Sequence, residues 1–245
     1  MGRIGGAYGG HMVKTGPRIG IDHKIRWADL DLIYHWWLEG RRIAPEDIIS
    51  HWQHVQGLAA RKKAATIMTR LWNQPFWQEP VNDNVLRPTL AANRLLGYWG
   101  LWLSAYPFFL DTATIIGRLL ALSDCFTTRQ VYHQMSVIYG DTERVRVGVK
   151  MILGSLTEWK VLKRVKVGQY VFNLSPVEVK GNEQLAFVMY VTLHAVAQDR
   201  IAMDVIDHLP WWFPFHIELS RSAFQGAGLV VEPSGGDYFT VGRLF

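Results

Sequence analysis

The chain has 245 residues, of which 49% are hydrophobic and 19% are charged, and this composition excludes an intrinsically disordered chain. Its one cysteine, Cys125, excludes a disulfide framework or a cysteine-ligated zinc site within one chain and predicts a reducing, cytoplasmic location. The formal net charge of +5 is compatible with nucleic acid or an acidic partner but requires neither.

The N-terminal residues and one apolar stretch differ in composition from the rest of the chain. Residues 1–12 are rich in glycine and end in His11-Met12, which predicts an expression tag. The longest uncharged apolar stretch spans residues 95–110 and is interrupted by Pro107. A membrane-spanning helix needs about 20 such residues, so this stretch predicts a buried helix and no membrane contact.

Residues 13–107 predict a helical N-terminal domain. Its helices are expected from Trp27 to Glu39, from Pro45 to about Gly57, from Leu58 to Trp72 and from Thr89 to Ala105, with a loop from Asn73 to Arg87. The expected core positions of the third helix are Leu58, Ile67, Leu71 and Trp72.

Residues 108–174 predict three helices followed by a hairpin. Asp111 is expected to cap a first helix that runs to about Ser123. Thr127 and Gln130 have the spacing of a capping box, which begins a second helix that ends at Tyr139-Gly140. Asp141 is expected to cap a third helix from Thr142 to about Glu158. The runs Val161–Lys166 and Gln169–Leu174 then flank the turn Val167-Gly168.

This order of helices, tight turn and hairpin resembles the winged helix-turn-helix family over residues 108–174. The resemblance implies a DNA-binding domain in which the third helix enters the major groove and the hairpin, or wing, follows the sugar-phosphate backbone.

The third helix predicts one core face and one outward face. The expected core stripe is Val145, Val149, Ile152, Leu153 and Leu156, because their spacing keeps them on one side. The outward face then carries Glu143, Val147, Lys150, Met151 and Gly154, with Arg144 and Arg146 on its flanks. The expected DNA-binding residues are Arg129, Arg144, Arg146, Val147, Lys150, Lys163, Arg164 and Lys166.

Charge is concentrated in this region. From Phe126 to Tyr170 there are eight basic and three acidic residues, an excess equal to that of the whole chain. Phosphate contacts supply most sequence-independent affinity for DNA, so this concentration favours a DNA contact there. A solvated basic face without a partner is the alternative. Arg61, Lys62 and Lys63 form a candidate secondary basic patch, for which a solvated helix face is the more ordinary interpretation.

Residues 175–245 predict a C-terminal α+β domain with a similar order. Helices are expected from Asn182 to Gln198, from Ala202 to Leu209 and from His216 to Ala227, followed by a hairpin of Leu229–Glu232 and Tyr238–Val241. A second, degenerate winged helix is one interpretation. The pairs Trp36-Trp37 and Trp211-Trp212 indicate core positions or, if exposed, an interface.

Other signals are weak. His51 and His54 have a spacing compatible with a metal but no third ligand nearby in sequence, so no metal and no cofactor are expected. Cys125 is expected to be a buried structural thiol. Neither a phosphate-binding glycine loop nor a nucleophile elbow occurs, so no enzyme activity and no small-molecule substrate are expected.

About half of the chain also resembles BrxA, a helical DNA-binding component of bacterial BREX phage-defence systems. The residues concerned are Ala60–Lys63 through Thr69–Leu71, Phe109–Asp111 through Leu119–Leu120, and Tyr139–Asp141 through Leu156. The resemblance implies a role in antiviral defence, with other subunits of a defence complex as partners.

These observations predict a mainly α protein that binds double-stranded DNA without catalysis, as a defence component or a transcriptional regulator. The alternatives are a winged-helix interaction subunit of a larger complex, of the SMC type or of a defence assembly, and an enzyme of unrecognised type.

Overall fold

The structure, a computed structural model, describes residues 19–219, 228–235 and 238–243, with only the backbone of Pro80, Val81, Asn82 and Tyr238. These residues are mainly helical and include three small sheets. The predicted tag at residues 1–12 lies outside them. No single described helix is both long enough and apolar enough to span a membrane. One pair of helices, Arg94–Ala105 and Pro107–Leu122, meets those criteria only jointly, and the chain bends by 119° between them.

Within the described residues, six helices precede the central region. They are α1 (Trp27–Leu38), α2 (Pro45–His51), α3 (Leu58–Trp72), α4 (Pro75–Gln78), α5 (Pro80–Ala92) and α6 (Arg94–Ala105). The predictions for α1 and α3 are confirmed within a residue, and Ile67, Leu71 and Trp72 are buried as expected. Leu58 is 55% exposed, so its predicted core position is wrong. Leu58 is the first residue of α3, so its side chain lies at the N-terminal end of the helix and outside the core.

Three predictions of helix boundaries in the N-terminal region are wrong. The helix expected from Pro45 to about Gly57 ends at His51. The expected loop Asn73–Arg87 contains α4 and most of α5, because Pro75 and Pro80 occupy first helical positions, where proline loses no hydrogen bond. The expected single helix Thr89–Ala105 is divided at Asn93, whose side chain accepts a hydrogen bond from the Leu96 amide and so starts α6.

The central region is a helix, a strand, two helices and a hairpin. It comprises α7 (Pro107–Leu122), β1 (Cys125–Thr127), α8 (Thr128–Tyr139), α9 (Glu143–Glu158), β2 (Leu162–Lys166) and β3 (Gln169–Phe172). The three strands form an antiparallel sheet in the order β1-β3-β2. We call residues 107–172 the central unit.

The helix ends of the central unit were predicted in part. The capping box of Thr127 and Gln130 is confirmed, as is the end of α8 at Gly140. The cap of α9 is Thr142 rather than Asp141. Asp111 lies inside α7, which starts at Pro107, because proline suits a first helical turn. Strand β1 was not predicted, since three residues are too few for an alternating pattern.

The C-terminal region has one long helix and short strands. It comprises β4 (Val177–Val179), α10 (Asn182–Val196), β5 (Arg200–Ala202), 3-10 helices at Met203–His208 and Pro210–Trp212, β6 (Phe215–Ile217), β7 (Leu229–Gly235) and β8 (Tyr238–Arg243). Strands β4 and β6 pair in parallel, and β5-β8-β7 form an antiparallel sheet.

Predictions for the C-terminal region are partly wrong. The helix expected from Ala202 to Leu209 is a 3-10 helix, and the helix expected from His216 begins as strand β6 instead. Residues 220–227 of this third predicted helix lie outside the described part of the chain. The hairpin of β7 and β8 is confirmed, with its turn residues 236–237 outside the described part.

A continuous hydrophobic core links all three regions. Buried side chains extend from Ile19 to Val241 in one cluster. Trp36 and Trp212 are buried in it, whereas Trp37 and Trp211 are half-buried at its edge. The N-terminal and C-terminal regions therefore hold the central unit in a fixed position.

Candidate nucleic-acid interface

The phase of α9 decides which side chains can reach a partner. Val145, Val149, Ile152, Leu153 and Leu156 are all buried, so the predicted core stripe is confirmed. The opposite side carries Glu143, Val147, Lys150, Met151 and Gly154, which we call the outward face.

Most of the predicted DNA-binding side chains are exposed. On the helices of the central unit, Arg129 lies in the first turn of α8, and Arg144, Arg146 and Lys150 lie on α9. Val147 is half-buried. The exposed cations of the hairpin are Lys163, Arg164 and Lys166. Within the described residues, Arg129, Arg144, Lys150, Lys163 and Lys166 have no carboxylate within ion-pair distance.

Arg146 is held by its own neighbours. Its Nη2 lies 2.8 Å from Oδ1 of Asp141, and its guanidinium stacks 5.0 Å from the ring centroid of Tyr132. The Tyr132 hydroxyl donates a hydrogen bond to the same carboxylate oxygen of Asp141. The hydrogen bonds from Tyr132 and then from Arg146 lower the pKa of Asp141. Arg146 is therefore partly neutralised, and is less available for a guanine than Arg144 or Lys150.

The hairpin is irregular where its cations lie. Arg164 pairs with Tyr170 and Lys166 pairs with Gln169, so Val165 is an extra residue in a bulge. The bulge breaks the alternation of faces along the strand. A regular alternation, with Lys163 and Val165 on one face, predicts that Val165 packs on the domain, and this prediction is wrong because Val165 is 46% exposed. Lys163, Arg164 and Lys166 are all exposed nevertheless.

The tip of the hairpin lies beside the start of α8. The amide of Thr128 donates a hydrogen bond of 2.8 Å to the carbonyl of Gly168. This contact joins the turn Val167-Gly168 to the first turn of α8, which carries Arg129. The hairpin turn that follows Lys166 therefore lies next to the helical turn that carries Arg129.

The segment before α1, residues 19–26, packs along one flank of α9 and reaches its outward face at Gly154. The Ile25 amide donates a hydrogen bond of 3.0 Å to Oγ of Ser155, and the Trp159 indole donates one of 3.0 Å to the Ile25 carbonyl. At Gly148 a β-carbon would lie 2.7 Å from Cε1 of Phe108 and 2.8 Å from Cγ2 of Ile19, so glycine at this position permits the close approach of both side chains. Ile19, Ile21 and Ile25 are buried. The segment therefore covers one flank and the C-terminal half of α9.

The uncovered start of α9 borders a cleft. The cleft has a volume of about 450 Å³ and lies between the 19–26 segment, α3 and α9. It is lined by Ile19, Gly20, Ile21, Asp22, Lys63, Glu143, Arg144 and Val147. Lys63, which was predicted as part of a separate basic patch, therefore lies beside Arg144. Its Nζ is 3.1 Å from Oδ2 of Asp22.

The other two members of that patch differ in exposure. Lys62 is exposed, whereas Arg61 is half-buried and donates a hydrogen bond of 3.2 Å from Nη1 to Oε1 of Gln53. The three side chains do not form one surface, because Lys63 lines the cleft whereas Arg61 is hydrogen-bonded to Gln53, which precedes α3.

His51, His54 and Cys125 contact other protein groups in the described part of the chain. His54 Nδ1 lies 2.8 Å from Nη2 of Arg26, and His51 Nδ1 contacts the Asp47 carbonyl. No group of three His, Cys, Asp or Glu side chains among the described residues can hold a metal ion. Cys125 is half-buried, and its sulfur accepts a hydrogen bond from Gln169.

Comparison of the chain with models of protein families, with curated proteins and with solved structures finds no match. Sequence reasoning missed the 19–26 segment, because its contacts with α9 join residues about 130 positions apart. The glycines at 148 and 154 in α9 were the available signal, since glycine inside a helix indicates a close approach.

Proposed function

We propose that the central unit is a winged helix-turn-helix domain and that the protein binds double-stranded DNA through it without catalysis. The observation that carries the proposal is the order α7, β1, α8, α9 and hairpin, with the sheet order β1-β3-β2 and exposed cations at the start of α8, on α9 and on the hairpin.

The exposed cations support this function because several of them are not already paired with a carboxylate of the described residues. A cation that is already paired gains little from a phosphate, whereas Arg144, Lys150, Lys163 and Lys166 have no carboxylate partner among the described residues. Phosphate contacts by such side chains give affinity and orient the protein on the duplex. The bacterial defence or regulatory role and the association with other defence subunits remain part of the proposal, resting on the sequence resemblance.

An interaction subunit is the second candidate, and two observations favour it. The 19–26 segment covers part of the helix that a DNA-reading domain would present. Leu122 and Val137 are 86% and 78% exposed, so these two apolar side chains are accessible to a protein partner. A protein partner would use these apolar positions, and a DNA partner would use the cations.

The test is neutralisation of Arg144 and Lys150, the cations of α9 that have no carboxylate partner in the described part of the chain. The Arg144→Gln, Lys150→Gln double variant is titrated against a fluorescent duplex of random sequence at low salt, with circular dichroism to verify the fold. Lys180→Gln is the matched control, because Lys180 is exposed and lies outside the central unit. The double variant is expected to lose on the order of tenfold or more in affinity, the value of one or two charge-assisted hydrogen bonds.

Two results would count against DNA binding through α9. If the folded double variant binds as tightly as the Lys180→Gln control, α9 does not contact DNA. If the wild-type chain binds no duplex while Leu122→Asp or Val137→Asp abolishes co-purification with another protein, the interaction-subunit candidate replaces the proposal.

A further inference from the structure

The outward face of α9 has a gap that another part of the chain fills. Gly154 lies one helical turn after Lys150 on this face, so it has no side chain of its own to contribute. A β-carbon there would lie 3.4 Å from Cδ and 3.6 Å from Cγ of Lys24, which are ordinary van der Waals distances. The alkyl chain of Lys24 therefore lies over position 154.

Lys24 is fixed to α9 by its neighbour in the chain. Ile25 is fully buried and makes two hydrogen bonds to α9 and the residue that follows it, through Ser155 and Trp159. In addition, the Trp27 amide donates a hydrogen bond of 2.7 Å to Oε2 of Glu158. The backbone on the C-terminal side of Lys24 is thus held in place, whereas Lys24 itself is exposed and has no carboxylate within ion-pair distance among the described residues.

This arrangement changes the chemistry of the outward face. Met151 is half-buried against the core, and Val147 is half-buried at the cleft, so neither apolar side chain projects freely. Lys150 is the cation that α9 itself places on the outward face, and Lys24 adds a second cation to this face one turn further along. A lysine ammonium is a point charge that suits phosphate oxygens, whereas base recognition favours the planar fork of arginine.

We infer that Lys24 of the 19–26 segment is a DNA-contacting residue, and that it extends the phosphate-binding surface of α9 beyond Lys150. The inference rests on the proposed function. It makes the ligand the sugar-phosphate backbone of duplex DNA, with the segment acting as part of the interface rather than as a cover that must be removed. The footprint of the protein on DNA then includes residues outside the central unit.

The test removes the charge of Lys24 and keeps the packing of its side chain over Gly154. Lys24→Gln retains most of the alkyl chain over Gly154, and Lys24→Arg retains the charge. Both variants and the Lys180→Gln control are titrated with the same random duplex at several salt concentrations, and thermal unfolding verifies that each full chain is folded. We expect Lys24→Gln to bind on the order of tenfold more weakly at low salt, with a slope of log K against log salt reduced by about 0.9. Lys24→Arg and Lys180→Gln should bind like the wild-type chain.

The outcomes separate this inference from the proposed function. If the wild-type chain binds duplex and Lys24→Gln binds with the same affinity and salt slope, the inference is overturned while DNA binding stands. If the wild-type chain binds no duplex at low salt, the proposed function fails and the inference fails with it. If Lys24→Gln and Lys24→Arg are weakened equally, the effect is one of packing on Gly154, and the phosphate contact is rejected.

Discussion

At the scale of single residues, Leu153 tests the phase of α9. Its side chain is fully buried, whereas Leu122 at the end of α7 is 86% exposed. Leu153→Ala removes buried methyl groups and leaves a cavity, so it should lower the free energy of unfolding by about 2–5 kcal/mol. Leu122→Ala is the matched control and should change it by less than about 0.5 kcal/mol. Denaturant titrations measure both, and equal small effects would mean that the charged side of α9 points inward.

Asp111 gives the protein a pH dependence that can be assigned to one group. Burial raises the pKa of this carboxyl, although the Tyr139 hydroxyl donates a hydrogen bond of 2.6 Å to it and Arg118 lies nearby. Because the folded state holds the proton to a higher pH than the unfolded state, folding loses stability as the pH rises from the ordinary aspartate pKa of about 3.9 to the raised value.

Asp111→Asn removes this titration and keeps an oxygen that accepts the hydrogen bond from Tyr139. The free energies of unfolding of wild type and variant should therefore diverge as the pH rises above about 3.9, with the variant losing less. Chemical denaturation at a series of pH values measures the difference. Parallel curves for the two proteins would show that Asp111 titrates alike in the folded and unfolded states.

At the scale of elements, the hairpin provides a test of backbone contact. Arg164 and Lys166 are exposed on β2, and Nε of Arg164 donates a hydrogen bond to the Lys166 carbonyl. Contacts of such side chains with phosphate carry no base information, so the Arg164→Ala, Lys166→Ala variant should bind all duplex sequences more weakly by a similar factor. Its slope of log K against log salt should fall by about 0.9 for each lost phosphate contact. A slope equal to that of the wild type would show that the hairpin does not touch DNA.

Several elements could be predicted because their signals are local. The capping box at Thr127 and Gln130, the core stripe of α9 and the turn at Gly168 each depend on residues within a few positions of one another. The exposed cations of the candidate interface followed from these elements. The bulge at Val165 did not, because it depends on the register with β3. The prediction of a loop at Asn73–Arg87 is wrong because both prolines of this segment, Pro75 and Pro80, begin helices.

At the scale of the whole molecule, the contacts between regions lay beyond sequence reasoning. The 19–26 segment reaches α9, and Pro210 reaches α7, over separations that no periodicity reveals. These contacts place Lys24 and Lys63 beside α9, although neither was predicted as part of the main interface. The boundaries of the predicted domains at 107–108 and 174–175 fall inside one continuous core.

Gly117 tests the contact between α7 and the C-terminal region. A β-carbon at this position would lie 2.0 Å from the carbonyl oxygen of Pro210, which is backbone and cannot easily move. Gly117→Ala should therefore destabilise the protein by about 1–3 kcal/mol, despite the gain in helix propensity of about 1 kcal/mol. Gly154→Ala is the control, since its β-carbon meets only the flexible Lys24 side chain, and it should be neutral or stabilising by up to about 1 kcal/mol. Thermal and denaturant unfolding compare them, and a stabilised Gly117→Ala would contradict the close contact.

The most direct test of DNA binding is the salt dependence of the wild-type chain on a random duplex. If about five cations of the interface contact phosphate, log K should fall with log salt with a slope of about −4.5, a loss of about 500-fold between 50 and 200 mM salt. A fluorescence anisotropy titration at these two concentrations measures it. Absence of binding at 50 mM, or an affinity that does not change with salt, would contradict a phosphate-contacting interface and favour the interaction-subunit candidate.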